Sequence, residues 1–77
     1  MAKQLYLYST SQCHLCELAY SIVMQIPDNI ELKLIDIADD DTLLAQYEIR
    51  IPVLQRQDTQ AELNWPFTVA DIHKFIA

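Results

Sequence analysis

The chain has 77 residues, 52% of them apolar, with eleven acids against five bases for a formal charge of −6, and it contains no glycine. That length holds one domain and not two, and it buries only about 60% of the surface that the unfolded chain exposes, so the stability margin is thin. The five cations, Lys3, Lys33, Arg50, Arg56 and Lys74, are scattered, which makes nucleic acid and anionic membranes poor partners. No apolar segment approaches the roughly 20 residues that cross a bilayer, and two cysteines are too few for a disulfide framework. The first four residues run directly into a strand-like pattern, so the expectation is a cytoplasmic protein, likewise a monomer, in a compartment where thiols stay reduced.

Residues 4–9 (Q-L-Y-L-Y-S) are β-prone and end in a Ser-Thr-Ser cluster, the pattern of a strand followed by a helix start. Leu15, Leu18, Ala19, Ile22, Val23 and Ile26 then recur at the spacing of an amphipathic helix, capped at Thr10 or Ser11 and stopped by Pro27. Residues 30–37 (I-E-L-K-L-I-D-I) begin by alternating and become continuously apolar, as a half-buried to buried strand does. Strand, helix and strand over some 30 residues predict a right-handed βαβ unit.

Asp39-Asp40-Asp41 next supplies a cap and first-turn acids for a second helix, with Leu43, Leu44 and Tyr47 as its apolar face. Ile51-Pro52-Val53-Leu54 and Ala61-Glu62-Leu63-Asn64-Trp65 flank a polar stretch and predict a β-hairpin. Thr68-Val69-Ala70-Asp71 reads as a capping box with Asp in place of Glu, and Phe67 stands where a hydrophobic staple meets Ile72, opening a last helix over 69–76. With no glycine, any left-handed backbone position is expected at Asp28-Asn29, Asp58 or Asn64.

The chemistry lies in Cys13-His14-Leu15-Cys16. At a helix N-terminus, unpaired backbone N–H groups and the positive end of the dipole favour a thiolate, lowering a free-thiol pKa of about 8.5 to between about 3.5 and 7.5. Cys13, in the first turn, is then the nucleophile, and Cys16, one turn on and less exposed, is the resolving thiol. A cationic His14 favours the Cys13 thiolate, whereas Glu17 and the net negative charge oppose it. A zinc site wants four ligands, and the chain offers the two cysteines, His14 locked between them and the distant His73. An iron–sulfur cluster shared between two chains and a pair of inert buried thiols stay open beside the redox reading.

In these features the chain resembles the glutaredoxins of the thioredoxin fold: Tyr8-Ser9 ends the first strand, Cys13-x-x-Cys16 opens the first helix, and Ile51-Pro52-Val53 opens the hairpin. It is closest in pattern to a small glutaredoxin-like family with a C-H-L-C tetrad, an R-[IV]-P-V stretch (50–53) and a W-P-F segment (65–67). The resemblance implies an α/β fold, βαβ-α-ββα, in which a four-stranded mixed sheet of order 2-1-3-4 carries one helix on one face and two on the other. It also implies a cis Pro52 beside the cysteines, leaving the Ile51 backbone to pair with an extended substrate. No tightly bound cofactor is expected, with glutathione as a candidate reductant.

Ordinary glutaredoxins grip glutathione with a lysine where this chain has Thr10, and with a Gly-Gly region where it has Asn64-Trp65-Pro66-Phe67. Arg50 is the candidate replacement charge, His14 is counted with Ile51 and Pro52 among the substrate-binding residues, and Trp65 and Phe67 are either an apolar rim near the cysteines or core residues. The expected partners are a disulfide-containing protein or small thiol, together with a reductase or thiol reductant. The function expected is dithiol reduction of a disulfide, with a thioredoxin-fold binding module or an iron–sulfur carrier as the competing readings.

Overall fold

The computed structural model describes residues 3–27 and 29–77. Strand β1 (Lys3–Ser9) leads into helix α1 (His14–Met24), and β2 (Ile30–Asp36) returns parallel to β1. A 3-10 turn over Ile37–Asp39 feeds α2 (Asp41–Tyr47), then come β3 (Val53–Arg56), β4 (Glu62–Asn64) and α3 (Val69–Ile76). The sheet has the order β2-β1-β3-β4, with β3 antiparallel to both β1 and β4. This is the α/β, thioredoxin-like architecture that the resemblance implied, on the element order read from the sequence.

Two clusters of buried side chains lie on opposite faces of the sheet. Leu5, Leu7 and Leu54 from one face pack with Ala19 and Val23 of α1 and with Ile72 and Ile76 of α3. Tyr8 and Val53 from the other face pack with Ile37 and Tyr47, where the 3-10 turn and α2 lie. Period-2 alternation along β1 produces this split: Leu5 and Leu7 point one way and Tyr6 and Tyr8 the other.

Local chemistry sets the helix starts. Asp36 accepts from Ala38 N–H, and Asp40 accepts from Thr42 and Leu43 N–H, so Asp36, ahead of the acidic run, and Asp40, within it, each open one helical element. Thr68 and Asp71 exchange both bonds of a capping box, Thr68 Oγ1 accepting from Asp71 N–H at 3.2 Å and Asp71 Oδ2 from Thr68 N–H at 2.9 Å. Phe67 and Ile72 both belong to the same buried cluster.

Four sequence expectations need correction. The cap of α1 is Cys13 and not Thr10 or Ser11, because a turn over Ser11-Gln12 intervenes before the helix begins. The buried face of α1 is Cys16, Ala19 and Val23, while Leu15 and Leu18 stand exposed, since the helix meets the sheet along a stripe rotated from the apolar one. The apolar end of β2 is not fully enclosed: β2 is an edge strand, and Leu34 is 55% exposed. Left-handed backbone occurs at Gln12 (φ 59°) and Gln60 (φ 64°) and not at Asp58 or Asn64; Asp28 lies outside the described residues.

Candidate active site

Residues 10–13 leave the C-terminal end of β1 and return the chain to α1. Beyond the register pair Tyr8↔Val53, the next residue back along β3 is Pro52, so the Ile51-Pro52 turn and the Cys loop start from the same end of the sheet. The Ile51–Pro52 and Trp65–Pro66 peptide bonds are both cis.

Cys13 and Cys16 are joined in a disulfide, with Cα atoms 5.2 Å apart. Cys13 is half-buried and occupies the N-cap, where its Sγ accepts the Cys16 backbone N–H at 3.2 Å. Cys16 is 5% exposed. One sulfur thus faces the surface in reach of a helix N-terminal donor, and the other lies against the core. An open cleft of about 360 Å³ adjoins the pair; both cysteines line it, together with Thr10, Glu17, Tyr20 and Leu34.

The remaining residues singled out from the sequence divide. His14 stands exposed on the first turn, its Nδ1 3.9 Å from Glu17 Oε2. Arg50 is committed elsewhere: its guanidinium donates to Glu62 Oε1 at 2.7 Å and to Asn64 Oδ1 at 3.2 Å and lies 5.0 Å from the centre of the Tyr47 ring. Its charge is therefore compensated within the fold. The Ile51 N–H donates to the Tyr47 carbonyl at 3.1 Å, so that donor is engaged within the fold. Pro52 is buried. Phe67 is 3% exposed and meets Trp65 edge-on at 5.0 Å, while Trp65 packs against the same core. Phe67 thus belongs to the core, and Trp65, half-buried, packs against it.

Sequence reasoning missed the polar contacts around Tyr47 and Tyr8. Tyr47 Oη donates to Glu62 Oε2, whose other oxygen receives Arg50. Tyr8 Oη donates to Gln55 Oε1 at 2.8 Å. Burial, and then the hydrogen bond to Glu62 with its charge, push the Tyr47 phenol far above its ordinary value. Burial alone would raise Glu62, but the Tyr47 hydroxyl and the Arg50 guanidinium outweigh it and hold the carboxyl below the usual range. These partners are separated by 12 to 47 positions in the chain, so no local spacing announced them. The cleft walls Tyr20 and Leu34 were equally hidden, read as helix and strand positions like any others.

Among the described residues, no group of three or more His, Cys, Asp and Glu side chains is arranged to hold a metal ion, so His14 and His73 do not join the cysteines in the four-ligand set that a zinc site needs. No helix among them is long and apolar enough to cross a membrane.

The model of the family described as Glutaredoxin-like domain (DUF836) matches residues 4–77. The X-ray structure of Northeast Structural Genomics target protein XcR50 from X. campestris is 32% identical, covers 92% of each chain and superposes with a TM-score of 0.83. The solution NMR structure of protein Ne2328 from Nitrosomonas europaea is 29% identical, covers 100% of this chain and 94% of that one, and superposes with a TM-score of 0.79. Among curated proteins none matches. A domain match over nearly the whole length, on a fold whose first helix opens with a Cys-x-x-Cys disulfide, is sufficient: the chain belongs to the glutaredoxin-like family.

Proposed function

We propose that the protein is a dithiol oxidoreductase that reduces a disulfide in the cytoplasm, acting as a monomer through Cys13 as nucleophile and Cys16 as resolving thiol. The observation that carries this reading is the unequal placement of the two sulfurs: Cys13 half-exposed at a helix N-cap with a backbone N–H directed at its sulfur, Cys16 5% exposed behind it.

In the reduced form the Cys13 thiolate attacks one sulfur of the substrate disulfide. The S–S bond breaks, the leaving sulfur departs as a thiolate and takes a proton, and a mixed disulfide to Cys13 remains. Cys16 gives up its proton and attacks Cys13 Sγ, which releases the second substrate thiol and forms the Cys13–Cys16 disulfide. Two electrons and two protons reach the substrate in total. A low-molecular-weight thiol or a reductase restores the dithiol by the reverse exchange.

The test uses hydroxyethyl disulfide and a thiol-coupled assay. Cys13→Ser is expected to abolish turnover. Cys16→Ser is expected to accumulate a mixed disulfide visible as a mass adduct on Cys13. Turnover that survives Cys13→Ser would refute the assignment. Binding of a partner protein unchanged by replacing both cysteines, with no turnover by the wild type, would point to the binding-module reading instead.

A further inference from the structure

The cleft beside the disulfide is lined on one side by Tyr20 of α1, one turn beyond Cys16, and on the other by Leu34 of β2. Leu34 pairs with Leu7, and its place two residues beyond Leu32 puts it on the α1 side of the sheet. These two apolar side chains are 42% and 55% exposed, and they line the same cleft as the two cysteines. Leu7, fully buried, forms the floor. The volume, about 360 Å³, is at the small end of ligand sites, room for a bulky side chain and its backbone and not for a large cofactor.

Charge narrows the occupant. Among the described residues that line the cleft, Glu17 alone is charged and no cation is present. Arg50, the cation that the sequence offered as a replacement, is spent on Glu62 and Asn64. A glutathione moiety brings two carboxylates and one ammonium, a net negative charge that this wall repels. A polypeptide segment bearing Lys or Arg meets Glu17 and a chain of formal charge −6 with the opposite sign.

We infer that this cleft is the substrate subsite for the residue next to the attacked cysteine of a polypeptide disulfide, and that it favours an aromatic or aliphatic side chain with a basic neighbour. The inference rests on the reductase reading and names its substrate class. The chemical step is unchanged: Cys13 displaces a sulfur of the bound peptide disulfide, and Cys16 releases the peptide as a dithiol, two electrons and two protons richer.

The experiment compares two synthetic peptides, each closed by one intramolecular disulfide, one with Phe and Arg beside a cysteine and the other with Ser and Asp. The wild type is expected to favour the Phe/Arg peptide by about tenfold in kcat/KM, the lower end of what an apolar pocket discriminates. The ratio is expected to fall to about twofold in Leu34→Ser and Tyr20→Ser, and to shrink in Glu17→Gln and in added salt. In Ile49→Ser, which alters an apolar residue 93% exposed outside the cleft, the ratio is expected to hold. Reading a ratio cancels any general change in thiol reactivity, and circular dichroism checks that the variants fold.

Equal rates on the two peptides, or a preference that survives both Leu34→Ser and Tyr20→Ser, would overturn the subsite while hydroxyethyl disulfide is still reduced. A wild type that reduces neither peptide nor hydroxyethyl disulfide overturns the reductase reading and the subsite with it.

Discussion

The rings of Tyr8 and Tyr47 stack with centroids 4.3 Å apart and planes inclined by 11°. This contact ties the strand that feeds the Cys loop to the helix that feeds Pro52, and the Tyr47 hydroxyl extends the tie to Glu62 on β4. Tyr47→Phe keeps the stack and removes one hydrogen bond to a charged acceptor, which is expected to cost about 1.5–3 kcal/mol in urea unfolding. Tyr47→Ala also empties a buried ring position and is expected to cost about 3–5 kcal/mol. Against a total of only about 4–12 kcal/mol for a domain of this size, that threatens folding itself.

Tyr47 and Glu62 give stability a defined pH profile. The native Tyr47 phenol holds its proton more tightly than in the unfolded chain, so its contribution is complete below about pH 10 and is lost as pH rises through the native value. The native Glu62 carboxyl is more acidic than in the unfolded chain, so its contribution is present above the ordinary carboxylate range near about 4.3 and is lost as pH falls through the native value. Urea midpoints measured from pH 3 to 11 are expected to show a plateau with both limbs, and Tyr47→Phe is expected to flatten the alkaline one. An alkaline limb identical in that variant would assign it to other groups.

Arg56 closes the C-terminal end of α3. Its guanidinium donates to the carbonyls of Phe75 at 2.7 Å and Ala77 at 3.1 Å, while Asp58 grips it by both carboxylate oxygens at 2.9 and 2.6 Å. The end of a helix leaves carbonyls without intrahelical donors, and this fork supplies them. Arg56→Met is expected to lower the melting midpoint by a few degrees and to speed amide exchange in the last turn of α3. Exchange unchanged there would mean that water serves those carbonyls as well.

The capping box at the other end of α3 acts within four residues. Thr68→Ala removes the oxygen that accepts Asp71 N–H and is expected to cost about 1 kcal/mol in urea unfolding. Thr68→Ser keeps the acceptor and is expected to restore most of it.

A cation placed in the cleft should change its choice of substrate. Thr10→Lys puts a positive charge into the same cleft lining as Glu17. Turnover of a glutathione mixed disulfide is expected to rise severalfold at low salt and to lose that gain at high salt, where screening lengths fall to a few ångströms. A gain independent of ionic strength would not be electrostatic.

Local and pairwise signals were legible. The last helix and its capping box depend on Thr68, Asp71 and the apolar spacing of Val69, Ile72 and Ile76, all within nine positions. The order of strands and helices followed from local patterning and from the breaks at Pro27 and Pro52, and the fold from the family resemblance that this order and the Cys and Pro motifs carry. The Cys pair at the mouth of the first helix was legible for the same reason, although the cap fell on Cys13 itself and the left-handed backbone on Gln12. A residue with a Cβ pays roughly 1–2 kcal/mol in that conformation, and here the tight return from β1 to α1 imposes it where composition favoured Asn or Asp.

By itself, then, the sequence determined the elements, their order, the family resemblance and the two sulfurs, because each is written in residues a few positions apart. Tertiary structure decided which way α1 turns, leaving Leu15 and Leu18 outside and Cys16 inside. It also decided that Arg50 is neutralised by Glu62, that Phe67 belongs to the core, and that Tyr20 and Leu34 open a cleft beside Cys13. Those outcomes depend on contacts between segments distant in the chain, and the packing of whole elements against the sheet, rather than any local preference, selects among them.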